Sequence, residues 1–115
     1  MANSLCWVEF YGKDVAQKSK FLKDVFGWES TPHGDNYAMW TSGEGQMGGG
    51  LGNEESMGLC TVAYIEVDDI EATLKKIEDN GGSTVIPKTQ ISEEHGYFAH
   101  FTDCCGTKLA LWSKT

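Results

Sequence analysis

An internal repeat constrains this chain more than any other feature. At an offset of 55 residues, Asp14 meets Asp69, Val15 meets Ile70, Lys20 meets Lys75, Leu22 meets Ile77, Asp24 meets Asp79 and Gly27 meets Gly82. At an offset of 61, Ala38 meets Ala99, Thr41 meets Thr102 and Gly45 meets Gly106. Each half reads as strand, helix, then three strands. One half cannot bury both the apolar stripe of its helix and the face of its sheet, so two halves pack as one unit. The expectation is an α+β fold of two βαβββ modules in a single domain over residues 1–115. Module one covers about 1–53 and module two about 58–115. At 115 residues and 40% hydrophobic, the chain is long enough to bury a core without disulfide staples.

The elements follow from period and punctuation. "LCWVEFYG" is rich in aromatic and β-branched residues and reads as a strand. "KDVAQKSKFLKDVFG" reads as a helix, with Asp14 as N-cap, Gly27 as stop, and Val15, Leu22, Val25 and Phe26 on one face. "WEST", "NYAMWT" and the glycine-rich "QMGGGLG" read as short strands, and "NEESMG" as a polar connector. The second half restarts with the strand "CTVAYIEV" and the Asp-capped helix "DDIEATLKKIEDNGG", where Ile70, Leu74 and Ile77 share a face. The strand "STVI", a long connection "PKTQISEEH", and a closing hairpin of "GYFAHFT" and "TKLALWS" through "DCCG" complete it.

Charge excludes some functions. The formal net charge is −8 and no basic patch exists, which argues against nucleic acid as a partner. An acidic surface instead attracts cationic ligands. No apolar run is long enough to span a bilayer, and "MANSLCW" does not read as a signal peptide, so a cytoplasmic protein without membrane contact is expected. The four cysteines lack a C-x-x-C spacing, and the adjacent Cys104 and Cys105 make a poor disulfide pair. They read as small hydrophobes plus one turn pair, with a redox or nucleophilic thiol as the alternative.

Three stretches carry a family resemblance: "VEFYGKDVAQKSKFLKDVFGWE", "YIEVDDIEATLKKIEDNGG" and "GYFAHFTDCCGTKLALW". Together they resemble the vicinal oxygen chelate superfamily, which includes glyoxalase I, extradiol dioxygenases, bleomycin-resistance proteins and fosfomycin-resistance enzymes. The resemblance covers nearly the whole chain and is similar in flavour to short glyoxalase-related or bleomycin-resistance-like proteins. It implies a cupped mixed sheet with helices outside, a small-molecule pocket inside, and a homodimer.

In metal-dependent members of that superfamily, four His, Glu or Gln side chains point into the cup. Carried onto this chain, the four positions are Trp7, Gly49, Val62 and Ala110. None of these side chains donates to a divalent metal, so no metal and no cofactor is expected. The turn also departs from the family's Asp-Pro-x-Gly, reading Asp-Cys-Cys-Gly here.

Strand alternation then assigns the rest of the cup. Trp7, Glu9 and Tyr11 share one face, with Val8 and Phe10 toward the helix. The matching sets are Val62, Tyr64 and Glu66, and Lys108, Ala110 and Trp112. With Gly49, these residues are expected to line an acidic aromatic pocket for a planar or cationic ligand. The alternative is that some of the rings form core or dimer interface. Glu9 in an apolar cup is a candidate general base; the plainer reading is a solvated or paired carboxylate. His100, alternating with Phe98 and Thr102, is the other candidate base, or a hydrogen-bonded structural residue. His33 and His95 fall in loops. "GEGQMGGGLG" is not a phosphate loop, because no Gly-Lys-Ser/Thr and no helix follow it; its glycines read as close approach within a strand, leaving room for a ligand.

The expected function is metal-independent small-molecule binding, similar to the bleomycin-resistance type. The alternative is a glyoxalase-like lyase, isomerase or dioxygenase with a non-standard metal site or a carboxylate or histidine base.

Overall fold

The computed structural model describes residues 2–53 and 60–115. The connector "NEESMG" therefore lies, apart from Asn53, outside the described residues. The chain is α+β and divides into two compact units, Trp7–Val62 and Met1–Cys6 with Ala63–Thr115. No helix among the described residues is long and apolar enough to cross a membrane.

The first unit contains β1 (Leu5–Tyr11) from Trp7 onward, α1 (Val15–Phe26), β2 (Glu29–Pro32), β3 (Tyr37–Thr41) and β4 (Gly48–Gly52). Its strand order is β2-β3-β4-β1, antiparallel except for the parallel pair β1 and β4. α1 begins where Asp14 accepts the Gln17 N–H at 2.9 Å. It ends at Gly27, whose φ of +76° suits a residue without Cβ. Val15, Ala38, Trp40 and Leu51 form the core, with Val8, Phe10, Leu22 and Trp28 packed on it. Trp40 is its centre, stacked on Trp28 at 4.5 Å and on Phe10 at 5.5 Å between ring centroids. Of the expected four-residue apolar face, Val15 and Leu22 pack on this core, whereas Val25 and Phe26 remain 56% and 59% exposed.

The second unit repeats the plan with β5 (Cys60–Glu66) from Ala63 onward, α2 (Ile70–Asp79), β6 (Ser83–Ser92), β7 (Gly96–Thr102) and β8 (Lys108–Ser113). The order is β5-β8-β7-β6, with β5 and β8 parallel. Val67, Ile70, Leu74, Ala99, Phe101 and Leu111 make its core.

The sequence reading ended a strand at Ile86 and left "PKTQISEEH" as a connection. Instead β6 continues through Pro87 to Ser92. Proline lacks the N–H that a ladder needs, but β6 is the end strand of its unit's order, and its pairing with β7 is broken by irregularities at 84–86, 86–89 and 90–92. An irregular edge strand tolerates a missing donor.

The repeat also needs one correction. Met39 pairs with Gly50, as His100 pairs with Ala110. The offset is 61 for β3 and β7 but 60 for β4 and β8, because the turn 103–107 is one residue shorter than the connection 42–47. The residue equivalent to Ala110 is therefore Gly50 and not Gly49.

Candidate functional site

In the first unit, β1 turns Val8 and Phe10 to the helix side and Trp7, Glu9 and Tyr11 to the other. Glu9 is 7% exposed, a buried carboxylate. Its Oε2 accepts from Trp7 Nε1 at 3.1 Å and from Tyr37 Oη at 2.5 Å, and its Oε1 accepts from Tyr11 Oη. A buried carboxylate is tolerated when donors replace the lost water, and these three do so.

Tyr37 was not singled out in the sequence. It reaches Glu9 because the strand between them carries no side chains on that face. Glu9 lies opposite Gly50, and Tyr11 opposite Gly52, with Tyr37 on the far side of Gly52. A Cβ on Gly50 would sit 2.0 Å from Tyr37 Oη, and one on Gly52 would sit 2.9 Å from Tyr11 Cε1. The glycines do permit close approach, but the space they leave on this face is taken by the protein's own tyrosines. Burial first, and then the adjacent Glu9 charge, push the Tyr37 phenol well above its ordinary value, so it stays a proton donor at neutral pH.

Gly49 does not belong to this group. It pairs with Val8, and a Cβ there would meet Trp40 on the helix side at 2.6 Å. The one-residue difference in turn length misplaced it.

In the second unit, Ile65, Leu109, Leu111 and Phe101 pack toward α2, which leaves Tyr64, Glu66, Phe98, His100, Lys108, Ala110 and Trp112 on the opposite face. Tyr64, Ala110 and His100 lie side by side on three adjacent strands. The small Ala110 lets its neighbours meet: Tyr64 Oη and His100 Nε2 are 3.0 Å apart, both residues being buried. Phe98 meets the His100 ring edge-on at 5.5 Å. Trp112 is half-buried, and its Nε1 donates to the His95 carbonyl at 2.7 Å. Val62, earlier on β5 and the last residue of the first unit, is fully buried. Glu66 and Lys108 are exposed at opposite ends of this face, so neither joins the Tyr64–His100 pair.

At the positions where the resemblance calls for metal ligands, the corrected set is Trp7, Gly50, Val62 and Ala110, none of which offers a donor side chain. Among the described residues, no three His, Cys, Asp or Glu side chains are grouped so as to hold a metal ion. These residues do not fit the family's metal.

The chain matches the model of the Glyoxalase/Bleomycin resistance protein/Dioxygenase superfamily over residues 4–111. It is 27% identical to CFP32 of Mycobacterium tuberculosis, a protein named as a glyoxylase, over 92% of this chain and 44% of that one. It is 26% identical to the anthracycline biosynthesis protein DnrV of Streptomyces peucetius, over 94% of this chain and 46% of that one. The chain thus spans less than half the length of the curated relatives it matches. Its fold is similar to that of the Mn(II)-bound glyoxalase from Novosphingobium aromaticivorans, with a TM-score of 0.71 at 18% identity, covering 96% of this chain and 38% of that one. The repeated βαβββ plan, the parallel pairing of first and last strands in each unit and the match along nearly the whole sequence agree: the chain belongs to the Glyoxalase/Bleomycin resistance protein/Dioxygenase superfamily.

Proposed function

We propose that the protein binds a planar or cationic small molecule without a metal, using the Glu9 face of its first unit as anchor. One observation carries this reading: the Glu9 carboxylate is held by an indole and two phenols. These donors are neutral, so they orient the charge without cancelling it, and the half-buried Trp7 and Tyr11 rings beside it offer stacking surface. A flat cation gains from both. The relative DnrV is named for anthracycline biosynthesis, and anthracyclines are flat fused-ring compounds of the kind such rings hold. On the second unit's own face, Tyr64, Glu66, Lys108 and Trp112 are kept as proposed ligand contacts, while Ala110 there and Val62 of the first unit are fully buried. A thermal-shift panel of aromatic cations, such as acridines, tests the reading, because a ligand that binds only the folded state raises the melting temperature. Stabilisation that is lost in Glu9→Gln supports it; a panel that stabilises neither protein, or both equally, contradicts it.

A second reading, an enzyme of lyase or isomerase type, is favoured by the buried Tyr64–His100 hydrogen bond, which is the geometry of a proton-transfer pair. Turnover that vanishes in His100→Gln with ligand binding retained would favour it.

The active form is a homodimer in this proposal. The exposed Phe21, Val25 and Phe26 on α1 give a second copy an apolar surface to cover, and relatives more than twice as long have sequence for two such chains. Light scattering at micromolar concentration checks the dimer. None of the four cysteines is in a disulfide, which suits the reducing cytoplasm that this proposal assumes.

A further inference from the structure

The turn between β7 and β8 carries a feature that the ligand site does not use. Cys104 and Cys105 are both exposed, and their Sγ atoms lie 3.8 Å apart. The turn under them is held on every side. Asp103 N–H donates to the Thr107 carbonyl at 2.9 Å, and Gly106 N–H to the Asp103 carbonyl at 3.1 Å. The Asp103 side chain accepts the Cys105 and Thr107 N–H groups, each at 2.9 Å. Gly106 takes a φ of +90°, which closes the turn. The two thiols are thus presented to solvent on a fixed backbone.

Their separation selects what they can hold. A disulfide needs a sulfur–sulfur bond of about 2.05 Å with a near-perpendicular dihedral, and a bridge between adjacent residues distorts the peptide that joins them. Two thiolates on one tetrahedral centre with bonds of about 2.3 Å lie ~3.8 Å apart. Trivalent arsenic forms bonds of similar length at a narrower angle and needs the sulfurs only slightly closer. Zinc would also match the spacing, but it takes four ligands. Among the described residues, no third His, Cys, Asp or Glu side chain joins the pair in a group that could hold a metal ion; Asp103 is engaged with the turn's own N–H groups. A soft centre satisfied by two protein sulfurs remains.

We propose that the Asp103–Gly106 turn is a vicinal-dithiol site that captures a trivalent, monosubstituted arsenical. The reaction is a condensation without redox change. Two As–O bonds of R–As(OH)2 break, two As–S bonds form, and each thiol proton leaves with a hydroxide as water. Arsenic stays trivalent. The site is independent of Glu9 and of the proposed small-molecule ligand.

Phenylarsine oxide is the probe. Reduced, desalted protein is incubated with it and read by intact mass. The expected result is one phenylarsenic per chain, removed by 2,3-dimercaptopropanol but retained against the monothiol glutathione. Cys104→Ser and Cys105→Ser should each weaken retention at least tenfold, because each loses the intramolecular second bond. A Cys6→Ser/Cys60→Ser double variant should keep it. Alkylation mapping of the unmodified protein gives the same answer without relying on variants: the arsenical should protect Cys104 and Cys105 together. The proposal is overturned if the protein takes up no arsenic, if either single serine variant retains it fully, if glutathione strips it as readily as the dithiol, or if the protected residues are Cys6 and Cys60.

Discussion

Tyr37 and Glu9, 28 residues apart in sequence, are joined by a 2.5 Å hydrogen bond that passes over Gly50. The bond exists because a central strand gives up its side chain there. It makes the glycine-rich strand, the buried carboxylate and the aromatic ring one arrangement.

Gly50→Ala therefore tests the arrangement at its narrowest point. The new Cβ would stand 2.0 Å from Tyr37 Oη, so the ring must move off Glu9. Loss of the bond and the crowding together should cost roughly 1–3 kcal/mol in denaturant unfolding. Adding Tyr37→Phe should cost less than the sum of the two single changes, because both remove the same contact. Strict additivity would show that Tyr37 moves freely.

Tyr37 also sets a pH dependence. Its phenol is raised above the ordinary tyrosine range, chiefly by burial and then by Glu9. A group whose folded value is raised contributes stability below its unfolded value and loses it as pH rises through the folded one. Stability should therefore fall on the alkaline side, starting near pH 10, where an unfolded tyrosine ionises. In Tyr37→Phe that alkaline loss should be smaller, and one late-ionising phenol should disappear from the ultraviolet titration.

Cys6 offers a second titration. Its Sγ meets the Tyr64 carbonyl at 3.7 Å, and burial, then Glu66, push its thiol up to about 11. At pH 8 it should hold roughly 100-fold less thiolate than an ordinary cysteine, since each pKa unit is a factor of ten. Timed alkylation with peptide mapping should find Cys6 slow and the exposed Cys104 and Cys105 fast. Equal rates would contradict the burial of Cys6.

The two half-buried indoles separate binding from packing. Trp7→Ala should weaken an aromatic cation by about 1–3 kcal/mol, the range of interface hot spots. Trp7→Phe keeps most of the volume but loses the 3.1 Å donation to Glu9, so it isolates the polar contribution. Trp112→Phe loses the bond to His95 and should loosen the 93–95 turn more than it alters binding at Glu9. Intrinsic fluorescence titrations of each variant make the comparison.

Much of this was legible in the sequence for a local reason. The helix caps, the alternation of Trp7, Glu9 and Tyr11 against Val8 and Phe10, and the repeat all depend on neighbouring residues. What escaped was set by distant pairing. An offset of 61 carried from β3 to β4 points to Gly49, because it takes no account of a turn shorter by one residue, and a slip of one reverses the face. Tyr37 was passed over because its partner lies two strands away. The expected strand ends at Ile86 because Pro87 reads as a break until β6 is known to be the end strand of its unit's order. Val25 and Phe26 have helical spacing, but spacing alone does not say how far a helix face is covered, and both stay exposed.

The central claim is that Glu9 anchors a flat cation without a metal. Calorimetric titration of a stabilising acridine into protein held in excess chelator tests it most directly. The account predicts saturable binding that is unchanged by the chelator and at least about tenfold weaker in Glu9→Gln, the loss expected when a charged contact of roughly 1.5–3 kcal/mol is removed. Binding that disappears with the chelator, or that Glu9→Gln leaves intact, would contradict it.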